Sequence, residues 1–352
     1  MNIDQLRQGV NQALKSEVAH NCLLISEIDD QLVPIANSLQ SYLSEGKRFR
    51  PLFALIGFLG ANGELTPQVY QAAASLEFLQ ASALIHDDLM DGSDTRRGKP
   101  AIHRHFENLH QTDAMNGLAT QFGESAAVLL GDLALVWSDQ MLNTSGISTE
   151  SLLAAHRIHD EMRVELMAGQ YLDVREAGER THSVERSLRI ARYKSGKYSI
   201  ERPLHMGAAI GNPSSYTALS PVLSAYGLPL GEAFQLRDDL LGVFGDPEVT
   251  GKPAGDDLRE GKRTVLIAMT LENLSGDDRA TLLAELGNPE LTPHHVDELR
   301  TIIRSSGAVE KVESLISQLM DSSLAAIDSP LVAEESRELL HLLAHAAVSR
   351  KA

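Results

Sequence analysis

The sequence predicts an all-α fold, a single large helical domain over residues 1–352, on three observations. Apolar residues recur every three or four positions through most of the chain, the period of one helix face. The periodic stretches are rich in Ala, Leu, Gln and Glu, which have high helix propensity. No stretch sustains the alternation of apolar, β-branched residues that a half-buried strand requires.

The clearest helices are "PQVYQAAASLEFLQASALIHDDLMD" (67–91), "ESLLAAHRIHDEMRVELMAGQYLDV" (150–174) and "GAVEKVESLISQLMDSSLAAI" (307–327). Breaks are expected at "SEGKRFRP" (44–51), "DGSDTRRGKP" (91–100), "LNTSG" (142–146), "GNPSS" (211–215) and "FGDPEVTGKPAGDDLREGKR" (244–263). The last is long and dense in Gly, Pro and charge, as functional lids and disordered loops are. No internal repeat or Pro/Ser-rich linker divides the chain, which leaves about ten helices in one domain.

With 43% hydrophobic and 22% charged residues, the 352-residue chain has ample material for a core. A formal net charge of −17 argues against nucleic acid as a partner, because phosphate backbones are gripped by clustered Lys and Arg. An acidic protein that binds an anion needs local basic groups or a metal to reverse the field. The single cysteine, Cys22, rules out an internal disulfide and a thiolate metal cage, so a reducing cytoplasm is the expected compartment. The N-terminus has no basic region followed by an apolar one, so no signal peptide is expected. Apolar runs such as "AAVLLGDLALVW" are interrupted well before the roughly 20 residues a membrane span needs.

The charged motifs raise the functional question. In a helix, Asp87 and Asp91 stand at i and i+4, where like charges repel. Hard oxygen ligands of this kind suit Mg²⁺, which takes one or two carboxylates plus water and phosphate oxygens. A lone DDxxD reads equally well as a solvated acidic face. The second acidic pair, Asp238 and Asp239, ends another apolar run and is followed by Asp246, Lys252, Asp256, Asp257, Lys262 and Arg263. Two acidic helix ends, each trailed by a Gly-containing basic loop, make a repeated theme: acids for metal, Lys and Arg for phosphate. A third cluster, "GKRFRP" (46–51), brings Lys47, Arg48 and Arg50 together with no acid among them, which with Arg96 and Arg97 suggests an anion site that needs no metal.

Together these residues resemble the trans-isoprenyl diphosphate synthases, or polyprenyl synthetases. The resemblance spans nearly the whole chain in the family's order: "GKRFRP", DDxxD with "RRG", "GQYLD" (169–173), "YKSGKYS" (193–199), "FQLRDD" (234–239) and "GKPAGDDLREGKRT" (251–264). "DDLMDGSDTRRGKPAIHRHF" looks most like the actinobacterial geranylgeranyl diphosphate synthases.

The resemblance implies helices around a central cavity, a homodimer, and about three Mg²⁺ ions per active site. Asp87 and Asp91, with Asp88 nearby, would hold metal on the allylic diphosphate, and Asp238, supported by Asp239, would hold a further ion. Arg96, Lys194, Lys252 and Lys262 would contact that diphosphate, while Lys47, Arg50, Gln80 and Arg97 would hold isopentenyl diphosphate. Gln170 and Asp173 would stand near the metals and lysines, and Ser195 and Gln235 would face the developing carbocation. The implied chemistry is ionisation, condensation and elimination, with the proton lost to the released diphosphate and no histidine required.

The second motif departs from the family's DDxxD, because Gly242 stands where a third acid is usual. Asp246 would share the face of Asp238 only if the helix continued past Gly245 and Pro247, so the expectation is that Asp238 alone holds that metal through waters. In the family, a bulky aromatic four or five positions before the first Asp closes the product tunnel at fifteen carbons. Those positions are Ala83 and Ser82, both small, and Leu79 and Phe78 lie about one turn deeper, which favours the twenty-carbon product. Longer- or shorter-chain (farnesyl) synthases, a class I terpene cyclase and an inactive regulatory subunit remain the alternatives. The isopentenyl diphosphate motifs argue against the cyclase, and the intact Asp87, Asp88 and Asp91 argue against the silent subunit.

Overall fold

The computed structural model describes residues 2–179, 183–247 and 255–349. Over these residues the chain is helical almost throughout. Helix α1 (Ile3–Ser26) opens on a capping box, Asn2 and Gln5 each satisfying the other's backbone N–H through their side chains. A 3₁₀ turn (Asp30–Leu32) leads to α2 (Val33–Ser44) and α3 (Phe49–Gly60). Helix α4 (Pro67–Asp91) starts at a proline, whose missing N–H costs nothing there, and stops at Gly92 in the left-handed conformation (φ 69°). Then follow α5 (Ile102–Thr112), α6 (Ala119–Asn143), α7 (Thr149–Ala177) and α8 (Val184–Ala191). A π-helix (Arg192–Glu201) connects α8 to α9 (Arg202–Gly211), and α10 (Tyr216–Phe244) carries the second acidic pair. The short α11 (Asp256–Arg259), α12 (Val265–Asn273), α13 (Gly276–Glu285), α14 (Pro293–Ser305), α15 (Ala308–Ile327) and α16 (Glu334–Val348) complete the chain.

Helix α4 packs along α6, α3 along α9, and α10 along α15 and the π-helix. One hydrophobic cluster runs from Leu6 on α1 to Val348 on α16, with Phe53, Leu76, Phe78, Leu79 and Tyr226 fully enclosed. The all-α expectation holds, although the described residues form more helices than the ten or so expected, and there is one addition. Strands β1 (Thr95–Arg96) and β2 (Lys99–Pro100) pair antiparallel around Arg97 and Gly98. Both turn residues have positive φ, 54° and 72°, the requirement of the type I′ turn that matches strand twist. Two residues per strand are too few to show alternation in the sequence.

Candidate active site

Both acidic pairs lie at helix C-termini. Asp87 and Asp91 occupy the last turns of α4, and Asp238 and Asp239 the last turns of α10. Carboxylates there face the negative end of the helix dipole, at a cost of about 0.3–1 kcal/mol each. Local stability would not select that placement; cations brought in from elsewhere in the fold compensate it.

A cavity of about 940 Å³ opens between these helix ends. Asp87, Asp238, Asp239, Gln170, Asp173, Lys194, Ser195, Gln235, Lys262, Arg96, Arg97, Lys47, Arg50, Gln80 and Ala83 all line it, although they come from segments scattered along the chain. Lys252 lies outside the described residues.

On the acidic side, Lys194 Nζ sits 2.8 Å from Asp87 Oδ1 and 2.6 Å from Asp173 Oδ2, while Gln170 Nε2 donates to Asp87 Oδ1 at 2.9 Å. Lys262 Nζ sits 3.0 Å from Asp91 Oδ2, 3.7 Å from Asp257 Oδ1 and 2.6 Å from Glu260 Oε2. Burial pushes Asp87 towards its neutral form, but Lys194, Lys262 and Arg96 together outweigh it and hold the carboxyl well below its usual range. For Asp91 burial wins over Lys262, helped by the charge of Asp87, and its pKa rises to about 6. Burial, with the charges of Asp257 and Asp238, lifts Asp239 to about 8 against the hydrogen bond from Gln235 Nε2 at 2.8 Å. The two lysines respond in kind. Burial alone would lower both, yet the surrounding carboxylates raise them above the usual range.

The π-helix makes this geometry possible. A Cβ on Gly169 would meet Lys194 N at 2.3 Å, and one on Gly231 would meet Gly196 Cα at 2.6 Å. Backbones of α7 and α10 therefore press directly on the widened turn, which aims Lys194 and Ser195 into the cavity. Glu165 on α7 anchors the same segment, accepting from Lys197 Nζ and, at 2.7 Å, from Arg202 Nε.

On the opposite side, Arg50 Nη2 donates to Ser199 Oγ at 2.6 Å, and its guanidinium lies 4.1 Å from the centroid of the Tyr198 ring. Tyr198 in turn donates to Gln80 Oε1 at 2.7 Å. Arg97 Nη1 donates to the carbonyls of Glu45 (2.9 Å) and Tyr42 (3.2 Å). The hairpin parts the two arginines, because Arg96 ends strand β1 while Arg97 takes a positive φ (54°) in the turn. Arg96 turns to Asp88, its Nε 3.0 Å from both carboxylate oxygens, and reaches Asp87 Oδ2 at 3.8 Å.

Three sequence expectations need adjustment. Asp88, expected beside the metal ligands, is enclosed and committed to Arg96. Arg48, read as part of an unneutralised cluster, is 4% exposed and bound to Glu77 Oε2 at 2.6 Å, Asn11 Oδ1 at 2.8 Å and the carbonyls of Leu43 and Glu45. The neutralising acid comes from α4, so the sequence around Arg48 could not show it. Of the two positions before the first Asp, Ala83 faces the cavity, while Ser82 is fully enclosed and its Oγ finds no partner among the described residues. Phe78 and Leu79 are fully buried below, the Phe78 ring meeting the edge of Trp137 at 5.7 Å. Tyr198 has no role in the sequence reading, where its place four residues after Lys194 is the available signal, and Asp257 stands there only among the acids suited to metal.

The donor set fits Mg²⁺. It is all carboxylate oxygen, and among the described residues no three acids gather closely enough to enclose an ion by themselves. Magnesium is ordinarily held by one or two carboxylates and completed by phosphate and water.

Comparison with known proteins agrees with this geometry. The family model for polyprenyl synthetase matches residues 33–303. A geranylfarnesyl diphosphate synthase of Aeropyrum pernix is 31% identical over 320 residues, 89% of this chain and 93% of that protein. A geranylgeranyl diphosphate synthase of Saccharolobus solfataricus is 27% identical over 99% of this chain and 97% of its own. Among solved structures, a geranylgeranyl pyrophosphate synthase of Corynebacterium glutamicum, complexed with isoprenyl diphosphate and magnesium, superposes with a TM-score of 0.95 at 42% identity over 100% of both chains. The chain belongs to the polyprenyl synthetase family.

Proposed function

We propose that this trans-prenyltransferase joins isopentenyl diphosphate to an allylic diphosphate (dimethylallyl, geranyl or farnesyl) and releases the all-trans twenty-carbon product, geranylgeranyl diphosphate. The observation that carries the reading is the division of one cavity into two cationic sides. Lys194 and Lys262 clasp the acids Asp87 and Asp91. Arg50 and Arg97 instead direct hydrogen bonds to a hydroxyl and to backbone carbonyls. Only the allylic substrate ionises, so only its diphosphate needs carboxylate-held metal. The other diphosphate stays attached throughout, and cations alone suffice to hold it.

In this reading Lys194, Lys262 and Arg96 hold the departing diphosphate, with Lys252 joining them. Arg50, Arg97, Lys47 and Gln80 hold isopentenyl diphosphate with its double bond facing the allylic carbon, which replaces an encounter by a fixed approach. Asp87, Asp91 and Asp238, with Asp239 behind, would hold magnesium, which would neutralise charge growing on the departing diphosphate. Ser195 and Gln235 face the allylic cation, where the oxygen dipoles of their side chains favour positive charge. The final proton passes to the released diphosphate.

Relatives of comparable identity carry names that differ in product length, from geranylfarnesyl to the octaprenyl diphosphate synthase of Escherichia coli. The twenty-carbon assignment therefore rests on Ala83, which leaves room at the cavity wall, and on Leu79 and Phe78, which are buried about one turn deeper along α4. The chain acts as a single domain, a reading supported by its continuous hydrophobic cluster. It pairs with a second copy, a reading supported by the apolar side chains left exposed on α6 (Leu129, Val136) and on α7 (Leu153, Val164, Tyr171). No described helix is long and apolar enough to cross a membrane, and the absence of any possible internal disulfide supports a cytoplasmic location.

The test is to incubate the purified protein with isopentenyl diphosphate, Mg²⁺ and each allylic primer in turn, then size the products. Twenty-carbon product is expected. No product with any primer overturns the reading, and diphosphate release without isopentenyl diphosphate points instead to a cyclase.

A further inference from the structure

Gly242 breaks the second acidic motif, and the structure shows what occupies the space it leaves. Helix α10 runs on to Phe244, so position 242 lies one turn beyond Asp238 on the same face. A Cβ built on Gly242 would stand 1.9 Å from Asp257 Oδ2 and 2.3 Å from its Cγ. No side chain fits at 242 while Asp257 keeps this position, and a carboxylate is already there. It arrives from α11, not from α10.

We propose that Asp257, laid against the bare backbone of Gly242, supplies the third carboxylate of the second acidic motif, and would act on a metal at Asp238 through its waters and not as a third direct ligand. The inference rests on the function proposed above and adds a residue the motif itself does not contain. Asp246, the other acid within reach in sequence, does not fill the role. The helix ends at Phe244, Gly245 is extended, and Asp246 is exposed beyond it. Asp257 is held in place by its own loop, since Lys262 N donates to Asp257 O at 3.0 Å and Lys262 Nζ stands 3.7 Å from Asp257 Oδ1. The carboxylate thus stands between Lys262, which also meets Asp91, and the end of α10 at Gly242. Glycine at 242 and aspartate at 257 form a matched pair, in which changing either should displace the same carboxylate.

Mn²⁺ binding to the full chain, followed by electron paramagnetic resonance in the presence of a non-ionising allylic thiolodiphosphate, tests the pairing without turnover. Asp257→Asn and Gly242→Ala should each weaken one Mn²⁺ ion of the wild-type complement by about tenfold or more and leave the others at wild-type affinity. Circular dichroism melts check that both variants are folded. Wild-type affinity for every ion in either variant overturns the proposal. Loss in Asp257→Asn without loss in Gly242→Ala is included, because it would mean that Asp257 acts only through Lys262. The function is tested separately, by whether wild-type protein makes prenyl product, so a failure of that reading is distinguishable from a failure of this one.

Discussion

Lys194 Nζ lies 2.8 Å from Asp87 Oδ1, on a line that joins the π-helix to the end of α4. The lysine balances the acid in the protein alone and stands ready to meet a diphosphate when that acid turns to metal. Lys194→Ala should therefore lower kcat by about 10²–10³, the usual loss for one donor aimed at developing negative charge. The effect should appear with the allylic substrate varied and leave the KM for isopentenyl diphosphate near its wild-type value. Steady-state kinetics with each substrate saturating in turn make the comparison. An equal rise in both KM values would show that the two anion sites are not separate.

Arg48 illustrates a charge that serves stability. It is enclosed with Glu77, and it also ties Asn11 on α1 to the end of α2. Arg48→Ala leaves Glu77 buried without its partner and should cost about 3–5 kcal/mol. Adding Glu77→Leu should recover a large part of that loss, because removing both charges avoids the unpaired one. Urea denaturation of the single and double variants gives the answer, and additive losses would count against the pairing.

His205 sets an acid limit on the fold. Its Nδ1 lies 2.7 Å from Tyr216 Oη and its Nε2 3.1 Å from Ser224 Oγ, with Glu201 at 4.0 Å. Burial first, then the charges of Arg202 and Lys197, hold its pKa down to about 3. The folded state keeps the ring neutral, whereas the unfolded chain protonates it below its ordinary value of about 6.5. Its contribution is complete above that value and is lost as pH falls from about 6.5 towards 3, at up to ~1.4 kcal/mol per pH unit. His205→Gln should flatten the fall in urea midpoint between pH 6.5 and 4.5. An unchanged slope would assign the acid sensitivity to other groups.

Phe78 and Trp137 meet edge to face in the buried core one turn below Ser82, in the part expected to stop the growing chain, and Leu79 lies one turn below Ala83. Phe78→Ala should shift the main product beyond twenty carbons and also cost about 3–5 kcal/mol, since the ring is fully buried. Leu79→Ala should lengthen the product less, because it opens less volume. Chromatography of dephosphorylated products measures both. If neither variant lengthens the product, the floor lies elsewhere.

Much of this molecule was legible in one dimension. Helical periodicity is local, so the long helices could be read from residues three and four apart, and "DDLMD", "RRG" and "YKSGKYS" marked the charged segments by composition alone. The two-residue strands were too short to leave a periodic trace. The partners of the charges were also hidden, since Asp88 turns to Arg96, Arg48 to Glu77 and Lys262 to Asp91 across distances no local pattern encodes. The sequence by itself determined which residues can ionise, where the most periodic helices run, and that two acidic ends and a basic turn exist. Only the tertiary structure decided which charges cancel and which face a shared cavity, because that depends on how helices pack and on where a missing side chain, as at Gly242, lets another segment in.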